Sequence, residues 1–454
     1  MDSSYPSHHK PSALPRQHRH ALDKSCLHVI LYCILLMSSV TPNSAASPAS
    51  SGPSLAEVAL VFLRLGATAF GGPAAHVAMM EQEFVRRRKW ISHQQFLDVL
   101  GAVNLIPGPN STEMAIYVGY LRAGWMGLLL AGLCFILPAM LLVAGLAWGY
   151  AVYGDFPQVA GLLRGVKPVV IAIIVQALYG LAPKAVKTPW LALITAAAVT
   201  ASLLGLDPLS VVLICGTTQG LAQSWQIKPA PSRWPLAVLV LVVVGVLALI
   251  HVPHFLATQI TTSQTVAGSE TATALVRVGP AAIFLYFLKI GSVLYGSGYV
   301  LLAFLQGDLV PRWLTTKELL DATSAGQVTP GPLFTTATFI GFLLGYRSGG
   351  AAGGWLGALV GTVGIFLPSF VFIALGGALF PRLRKSPLAG AFLDGVNVAA
   401  VALIAAAAWS LGREALVDWP TVAVAIVSGL LLFRFRLNSA WLVLGGAAMG
   451  LAMS

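Results

Sequence analysis

Long apolar stretches, separated by short polar connectors, follow one another from residue 55 to the C-terminus. Each stretch is close to the roughly 20 residues that an α-helix needs to cross a bilayer. We therefore predict an all-α fold, a polytopic transmembrane helix bundle of about 13 helical segments. The predicted segments are 55–80, 94–120, 124–150, 158–182, 189–206, 207–224, 234–257, 275–303, 317–345, 350–380, 388–411, 417–433 and 438–453.

Residues 1–54 do not share this pattern. His, Pro and Ser are frequent in residues 1–23, a short apolar run occupies 27–37, and small residues dominate 41–53. The apolar run is shorter than the roughly 20 residues of a membrane span. We interpret this extension as disordered, or as the result of an upstream start codon. A signal peptide is the alternative, because a basic region, an apolar run and an Ala-rich tail occur in that order.

The second half of the chain repeats motifs of the first half in the same order, and both halves contain Pro-Gly-Pro. Chance does not produce this many ordered matches, so we infer an internal duplication. The equivalent positions are 62–66 and 287–291, 70–72 and 295–297, Trp90 and Trp313, 96–98 and 319–321, 104–109 and 327–332, and 135–138 and 365–368. The predicted domains are 1–54 as an extension, 55–224 as the first repeat, 225–274 as a linker with one transmembrane helix, and 275–454 as the second repeat.

The number of segments predicted in each half bears on orientation. Six segments per half and one linker segment place equivalent helices an odd number of steps apart, so the second repeat is inverted. With the N-terminus inside, basic residues concentrate in the inner connectors, as the positive-inside rule requires. The run Arg86-Arg-Arg-Lys89 would lie outside. Either segment 55–80 is re-entrant, or this run has a task that overrides the rule, and we predict anion attraction for Arg86, Arg87 and Arg88.

Each half carries its Pro-Gly-Pro motif inside an apolar segment, where these residues end one helix and begin the next. A helix N-terminus has free N–H groups and a partial positive charge, which suit an anion. We predict that the two helix starts meet near the middle of the membrane and bind an anion; two plain kinks are the alternative. The predicted binding residues are Asn104, Pro107, Gly108 and Thr112 in the first half, and Gln327, Pro330, Gly331 and Thr335 in the second.

Arg64 and Lys289 occupy equivalent positions inside apolar segments. A charge at that depth is costly and usually faces a cavity or a partner. We therefore add this basic pair to the predicted anion site. Snorkelling to the membrane surface, or an ion pair with Glu57 or Asp98, is the alternative.

Composition excludes several classes of function. Hydrophobic residues make up 57% of the chain and charged residues 9%, against about a quarter in soluble domains. The four cysteines are scattered, which argues against a metal site or disulfide framework. The net charge of +11 comes from residues in short connectors, which disfavours nucleic acid. We find no cofactor fingerprint and no nucleophile–base pair, so we predict that the chain is not an enzyme and needs no cofactor.

The source of energy is also constrained by the sequence. The phosphate-binding motif G-x-x-x-x-G-K-[ST] does not occur, which argues against ATP as the drive. Coupling to protons needs a titratable group near the site, and we predict Glu113 together with the equivalent pair Asp98 and Asp321. Helix capping or a salt bridge is the alternative for the two aspartates. Inverted repeats with broken helices are typical of secondary transporters.

The motifs Phe70-Gly-Gly-Pro73, Arg86-Arg-Arg-Lys-Trp90, Asn104-Leu-Ile-Pro-Gly-Pro109 and Tyr117-Val-Gly119 resemble the first-half signature of the chromate ion transporter family. The second half resembles that family's other domain, through motifs that begin at Gln327, Thr338 and Gly364. The resemblance covers about residues 55–453 and points to the long-chain, two-domain form. One departure is Tyr295-Gly-Ser-Gly298, which lacks the proline of Gly-Gly-Pro.

This resemblance implies a multi-pass protein of the bacterial inner membrane that exports chromate, driven by the proton motive force, and so confers chromate resistance. Chromate and sulfate are both tetrahedral dianions with four acceptor oxygens. A transporter of sulfate or another oxyanion, working by uptake or exchange, therefore stays open, as does a passive anion channel. The expected partners are chromate, sulfate as a second anion, protons and the lipid bilayer. The oligomeric state is open.

Overall fold

The computed structural model describes residues 54–104, 106–154, 156–226, 278–295, 297–310, 312–376, 387–435 and 437–452. In these ranges the chain forms 14 α-helices and no β-strand, which confirms the predicted all-α bundle. The predicted linker segment 234–257 and the extension before residue 54 lie outside the described residues. The first half contains α1 (Leu55–Thr68), α2 (Gly72–Glu81), α3 (His93–Val103), α4 (Asn110–Tyr153), α5 (Pro157–Ala185), α6 (Pro189–Leu203) and α7 (Pro208–Gln226).

The second half follows the same plan. It contains α8 (Pro280–Val293), α9 (Val300–Asp308), α10 (Thr316–Val328), α11 (Thr336–Gly376), α12 (Pro387–Ala415), α13 (Trp419–Phe435) and α14 (Ser439–Ala452). A π-helical turn, Gln82–Arg87, follows α2, and a 3₁₀ turn, Leu333–Thr335, precedes α11. Among the described residues, four helices are long and apolar enough to cross a membrane, namely α4, α5, α11 with its preceding turn, and α12.

Helices α4 and α11 are hairpins. Gly124 and Gly350 have φ of 58° and 60°, a left-handed conformation that suits glycine. The chain reverses direction at these glycines. In α4, Gly119 packs against the carbonyl of Gly127, whereas two residues eight apart in a straight helix would lie about 12 Å from each other. We name the arms α4a (110–122), α4b (125–153), α11a (336–348) and α11b (351–376). Both turns fall at boundaries between predicted segments, since Gly124 and Gly350 begin the segments 124–150 and 350–380.

Four predicted segments are each broken within their length. The breaks in 94–120 and 317–345 occur at the Pro-Gly-Pro motifs, as predicted. Segments 55–80 and 275–303 were each given as one predicted segment, and each is divided into two helices. Gly71 has a φ of 104° and ends the first part of 55–80 after Thr68, so that α1 has only 14 residues.

The two halves are inverted relative to each other. Gly132, near the start of α4b, faces the ring of Phe370 near the end of α11b. Tyr150, near the end of α4b, lies against Phe339 of α11a with ring centroids 5.4 Å apart. Since α11a packs beside the beginning of α11b, the equivalent arms α4b and α11b run antiparallel. This arrangement confirms the predicted inverted-topology repeat.

The halves also exchange helices. Helix α5 of the first half packs against α13 and α14 of the second, and α12 of the second half packs against α6 and α7 of the first. Small residues allow the close approach, since Gly165 lies against Gly446 and Gly450. Gly395 lies against Cys215 in the equivalent contact. Each half therefore completes its core with helices of the other.

Candidate functional site

The two Pro-Gly-Pro motifs are held by reciprocal hydrogen bonds between the halves. The N–H of Gly108 donates to the carbonyl of Leu294, directly after α8, at 2.7 Å. The N–H of Gly331 donates to the carbonyl of Ala69, directly after α1, at 2.8 Å. Leu294 and Ala69 are equivalent positions, so each motif binds the broken segment of the opposite half. Pro109 and Pro332 then line one common cavity.

Glycine is required at the centre of both motifs by conformation and by space. Gly108 and Gly331 have φ of 138° and 103°. A side chain at Gly108 would lie 2.6 Å from Oγ of Ser369, and one at Gly331 would lie 2.6 Å from Cβ of Ala139. Ser369 and Ala139 are again equivalent positions, which follow a proline in α11b and α4b. The repeat therefore builds the same tight contact twice.

The common cavity, which we call the central cavity, has a volume of about 30 Å³. This is room for about one or two water molecules. A tetrahedral oxyanion with four oxygens does not fit, so the conformation seen here is closed around the site. The cavity is lined by His76, Pro109, Asn110, Ser111, Ser297, Gly298, Pro332, Leu333 and Phe334.

Polar atoms without a hydrogen-bond partner gather around the two motifs. Among the described residues they include Oγ1 of Thr112, Oε2 of Glu113, Nδ1 of His76 and Nε2 of Gln327, all of them buried. A buried polar atom without a partner costs about 1–3 kcal/mol, so proteins keep few of them. Such atoms are the donors and acceptors that a polar ligand would satisfy.

Glu113 is the carboxylic acid of this region. Its side chain is fully buried and reaches back toward Gly108, just before the start of α4. The hydroxyl of Ser369, from the other half, donates to its Oε1 at 3.3 Å. Within the described ranges no basic side chain pairs with it. Its Oε2 has no hydrogen-bond partner among the described residues, so the carboxyl group retains an unsatisfied oxygen beside the start of α4.

The other predicted binding residues lie at the same breaks. Asn104 ends α3, and its Oδ1 accepts a hydrogen bond of 2.6 Å from the side chain of Asn110. The side chain of Gln327 lies beside the hydroxyl of Tyr299. Thr335 is buried, and its hydroxyl donates to the carbonyl of Pro332 at 2.9 Å.

The predicted basic pair lies elsewhere. Gly66 of α1 and Gly291 of α8 pack against α4b and α11b. Arg64 and Lys289, two residues earlier and thus about 200° around each helix, are exposed on the opposite face. Lys289 pairs with Asp308 at 3.2 Å, and not with Glu57 or Asp98. Neither side chain lines the central cavity.

The basic run after α2 forms a local network of ion pairs. Arg86 pairs with Glu81 at 3.3 Å, and Arg87 pairs with Glu83 at 3.1 Å. Arg88 is shared between Glu83, at 2.7 Å, and Glu57 of α1, at 2.5 Å. The structure therefore joins this run to α1 and does not bring it to the central cavity.

The equivalent aspartates have different surroundings. Asp98 is exposed and accepts a hydrogen bond of 3.3 Å from Gln94. Asp321 is buried, pairs with Lys167 at 2.8 Å and accepts a hydrogen bond of 3.0 Å from Tyr150. Both of these partners of Asp321 belong to the first half. This aspartate thus lies at the interface between the halves, and neither aspartate lines the central cavity.

Two larger cavities occupy equivalent positions in the repeat. One, of about 1020 Å³, lies between the α6–α7 connection and the C-terminal part of α12, and Lys289 is among its lining residues. The other, of about 820 Å³, lies between the α13–α14 connection and α5. Because the halves are inverted, these two vestibules face opposite sides of the bundle. The second one shares Ser297 with the central cavity.

Four polar residues at this centre were not among the predicted binding residues: His76, Ser111, Ser297 and Ser369. Ser111 is the second residue after the Pro-Gly-Pro motif, which is the signal that was available for it. Ser369 has no such signal, because its equivalent is Ala139 and its contact with Glu113 depends on how the halves pack.

Comparisons with known proteins agree with the repeat. A family model described as chromate transporter matches residues 56–221 and 281–451. A probable chromate transport protein of Synechococcus elongatus is 32% identical over 377 residues, which are 83% of this chain and 89% of that protein. A chromate transport protein of Cupriavidus metallidurans is 31% identical over 414 residues, 90% of this chain and 95% of that protein.

A chromate transport protein of Pseudomonas aeruginosa is 30% identical over 402 residues, 86% of this chain and 90% of that protein. No solved structure matches the chain. The family model covers both repeats and therefore both Pro-Gly-Pro motifs. The chain belongs to the chromate transporter family.

Proposed function

We propose that this multi-pass membrane protein is a secondary active transporter that exports chromate across the bacterial inner membrane in exchange for protons, and so confers chromate resistance. The family and the named relatives support chromate as the transported ion. The observation that carries the mechanism is the reciprocal attachment of the two Pro-Gly-Pro motifs, which encloses two helix starts and several unpartnered polar atoms in one place.

Helix starts supply the positive potential of this site. Each carries the equivalent of about half a positive charge in its free N–H groups. The start of α4 adds the hydroxyls of Ser111 and Thr112, and the opposite motif adds the amide of Gln327. Together they present donors to the four acceptor oxygens of chromate. Arg64 and Lys289 stay predicted contributors, acting from exposed positions that suit anion attraction before binding.

Glu113 is the group best placed for proton coupling. Its ionised carboxylate repels an oxyanion at the start of α4, and protonation removes that repulsion. Anion binding and titration of Glu113 are therefore linked. Asp321 is the second candidate, because its pair with Lys167 joins the halves and so reports their relative position.

The two vestibules support alternating access. They lie at inverted positions, and the central cavity between the motifs is too small for an oxyanion in this conformation. This closed centre favours a carrier over a passive channel, which needs a continuous path. A sulfate or other oxyanion transporter is the remaining alternative, because the same donors suit any tetrahedral dianion.

Transport by inside-out membrane vesicles tests this proposal. We expect uptake of chromate that rises when a proton gradient is imposed and falls when sulfate is added as a competitor. Vesicles from cells that do not express the protein serve as the control. Sulfate uptake without chromate uptake would assign the protein to the alternative substrate. Chromate flux that ignores the proton gradient would make it a channel or uniporter.

Glu113→Gln identifies the coupling group. The amide retains the bond with Ser369 and removes the titratable carboxyl. We expect chromate flux to persist and its response to the proton gradient to be lost. Asp98→Asn and Asp321→Asn are measured in the same assay. If one of them abolishes the response while Glu113→Gln retains it, the coupling group is that aspartate.

A further inference from the structure

We propose that the imidazole of His76 is a proton-binding group of the anion site: Nδ1 takes up a proton when the oxyanion binds and then donates a hydrogen bond to it. The proposal rests on the proposed function in one respect, that an oxyanion occupies the central cavity. It assigns a role to a residue that sequence reasoning left out of the site.

One ring nitrogen of His76 is already engaged. Its Nε2 lies 3.0 Å from the carbonyl oxygen of Ala69, the same oxygen that accepts the N–H of Gly331. A carbonyl oxygen only accepts, so Nε2 must carry the hydrogen. In the neutral ring Nδ1 is therefore unprotonated and presents a lone pair.

The other nitrogen, Nδ1, is free to bind a ligand. His76 is only 2% exposed, and its Nδ1 is buried without a hydrogen-bond partner among the described residues. The residue lines the central cavity together with Ser111 and Ser297. A lone pair directed at an oxyanion repels it, whereas a protonated Nδ1 donates a charge-assisted hydrogen bond, about twice as strong as a neutral one.

The residues that line the central cavity point to His76 as the group that takes up the proton. It is the one side chain able to become a cation among the described residues that line the central cavity. The titratable groups on neighbouring elements are Glu113 on α4a and the phenols Tyr295 and Tyr299 between α8 and α9. The ring of Phe135 meets the imidazole edge-on from α4b, with centroids 6.1 Å apart.

The proton balance of this step is simple. A proton from water binds Nδ1 as the anion binds, and it returns to water when the anion dissociates. This proton moves with the anion, whereas the protons exchanged against the anion in the proposed function use a separate group, Glu113. The imidazolium then offsets part of the charge of the dianion inside the membrane, where uncompensated charge is costly. A purely structural histidine would need its Nε2 bond to Ala69 and nothing at Nδ1. The two roles can therefore be separated by substitutions that replace one nitrogen at a time.

Two variants make this separation. His76→Gln places an amide donor near the position of Nε2 and leaves nothing that titrates. His76→Asn places a neutral donor near the position of Nδ1 and gives up the bond to Ala69. The intact chain is purified in detergent, and sulfate and chromate binding are measured by calorimetry in two buffers that differ in ionisation enthalpy. The difference between buffers gives the number of protons taken up per anion.

We expect the unmodified protein to take up about one proton more per anion than either variant, at a pH where the free ring is neutral. Its affinity should rise as the pH falls. His76→Gln should bind about tenfold or more weakly, at the scale of one charge-assisted hydrogen bond. His76→Asn should bind with an intermediate affinity that changes less with pH.

Unchanged proton uptake and unchanged affinity in both variants would overturn the role of His76 while leaving chromate transport intact. A lower melting temperature for His76→Asn, with anion binding like that of the unmodified protein, would also overturn it, in favour of a structural role. If the unmodified protein binds neither anion, both this inference and the proposed function fail.

Discussion

At the scale of single residues, the site depends on backbone geometry more than on charged side chains. Gly108 and Gly331 adopt conformations that other residues rarely reach, and each is packed against a residue of the opposite half. Their amides hold the halves together, and the helix starts beyond them face the central cavity. A change at either glycine therefore acts on both the fold and the site.

Gly108→Ala tests this dependence. We expect a loss of about 1–3 kcal/mol in stability from backbone strain, together with the loss of chromate uptake, because Ser369 and Glu113 would be displaced. Gly145→Ala in α4b is the matched control, since a methyl group there meets no other atom within 4 Å. Thermal unfolding and vesicle uptake are compared for both. Normal uptake by Gly108→Ala would remove this glycine from the site.

The sequence predicts the positions of the helix starts, but not the direction in which each charged or titratable side chain points. Arg64 was assigned to the site because it lies inside an apolar segment at a position equivalent to Lys289. Helix α1 packs on α4b through Gly66, and Arg64 is exposed on the opposite face of the helix. His76 is the opposite case. A single histidine after a glycine pair does not indicate where its side chain points, and its proposed role follows from the contact with Ala69.

At the scale of elements, the two helical hairpins are the features that set the depth of the site. The arms α4a and α11a are too short to span the bilayer and begin at the Pro-Gly-Pro motifs. Their turns match closely, with φ and ψ of −142° and 28° at Ala123 and −149° and 26° at Gly349. The segment boundaries could be predicted because both turns interrupt apolar runs.

Gly350→Ala and Gly349→Ala form a matched pair at one of these turns. A methyl group meets no other atom within 4 Å at either position. Only Gly350, with a φ of 60°, has the left-handed conformation. We expect Gly350→Ala to lose about 1–2 kcal/mol of stability and Gly349→Ala to lose less than half of that. Equal melting temperatures for the two variants would contradict the assigned turn.

At the scale of the whole molecule, the exchange of helices between halves could not be predicted from the sequence. Residues 189–226 read as the natural end of the first repeat, yet α6 and α7 pack against α12. The hydrophobic periodicity of a segment indicates which face of a helix is buried, but not which other helix covers that face. The duplication itself was visible, because equivalent turns and breaks need the same glycine and proline residues.

Expressing the halves as separate chains tests the exchange. We expect residues 1–226 alone to be degraded or aggregated, because α5, α6 and α7 lack their packing partners. Co-expression with residues 227–454 should restore a complex that is purified through a tag on either chain. The intact chain with the same tags is the control. A first half that is monomeric and stable alone would show that the exchanged contacts contribute little.

The packing of helices from one half against helices of the other also affects the biogenesis of the protein. The ribosome delivers α6 and α7 well before α12, so these helices must wait in the lipid without the surface that they finally cover. The newly made first half is therefore an incomplete intermediate, open to quality-control proteases until α12, α13 and α14 at the end of the chain are inserted.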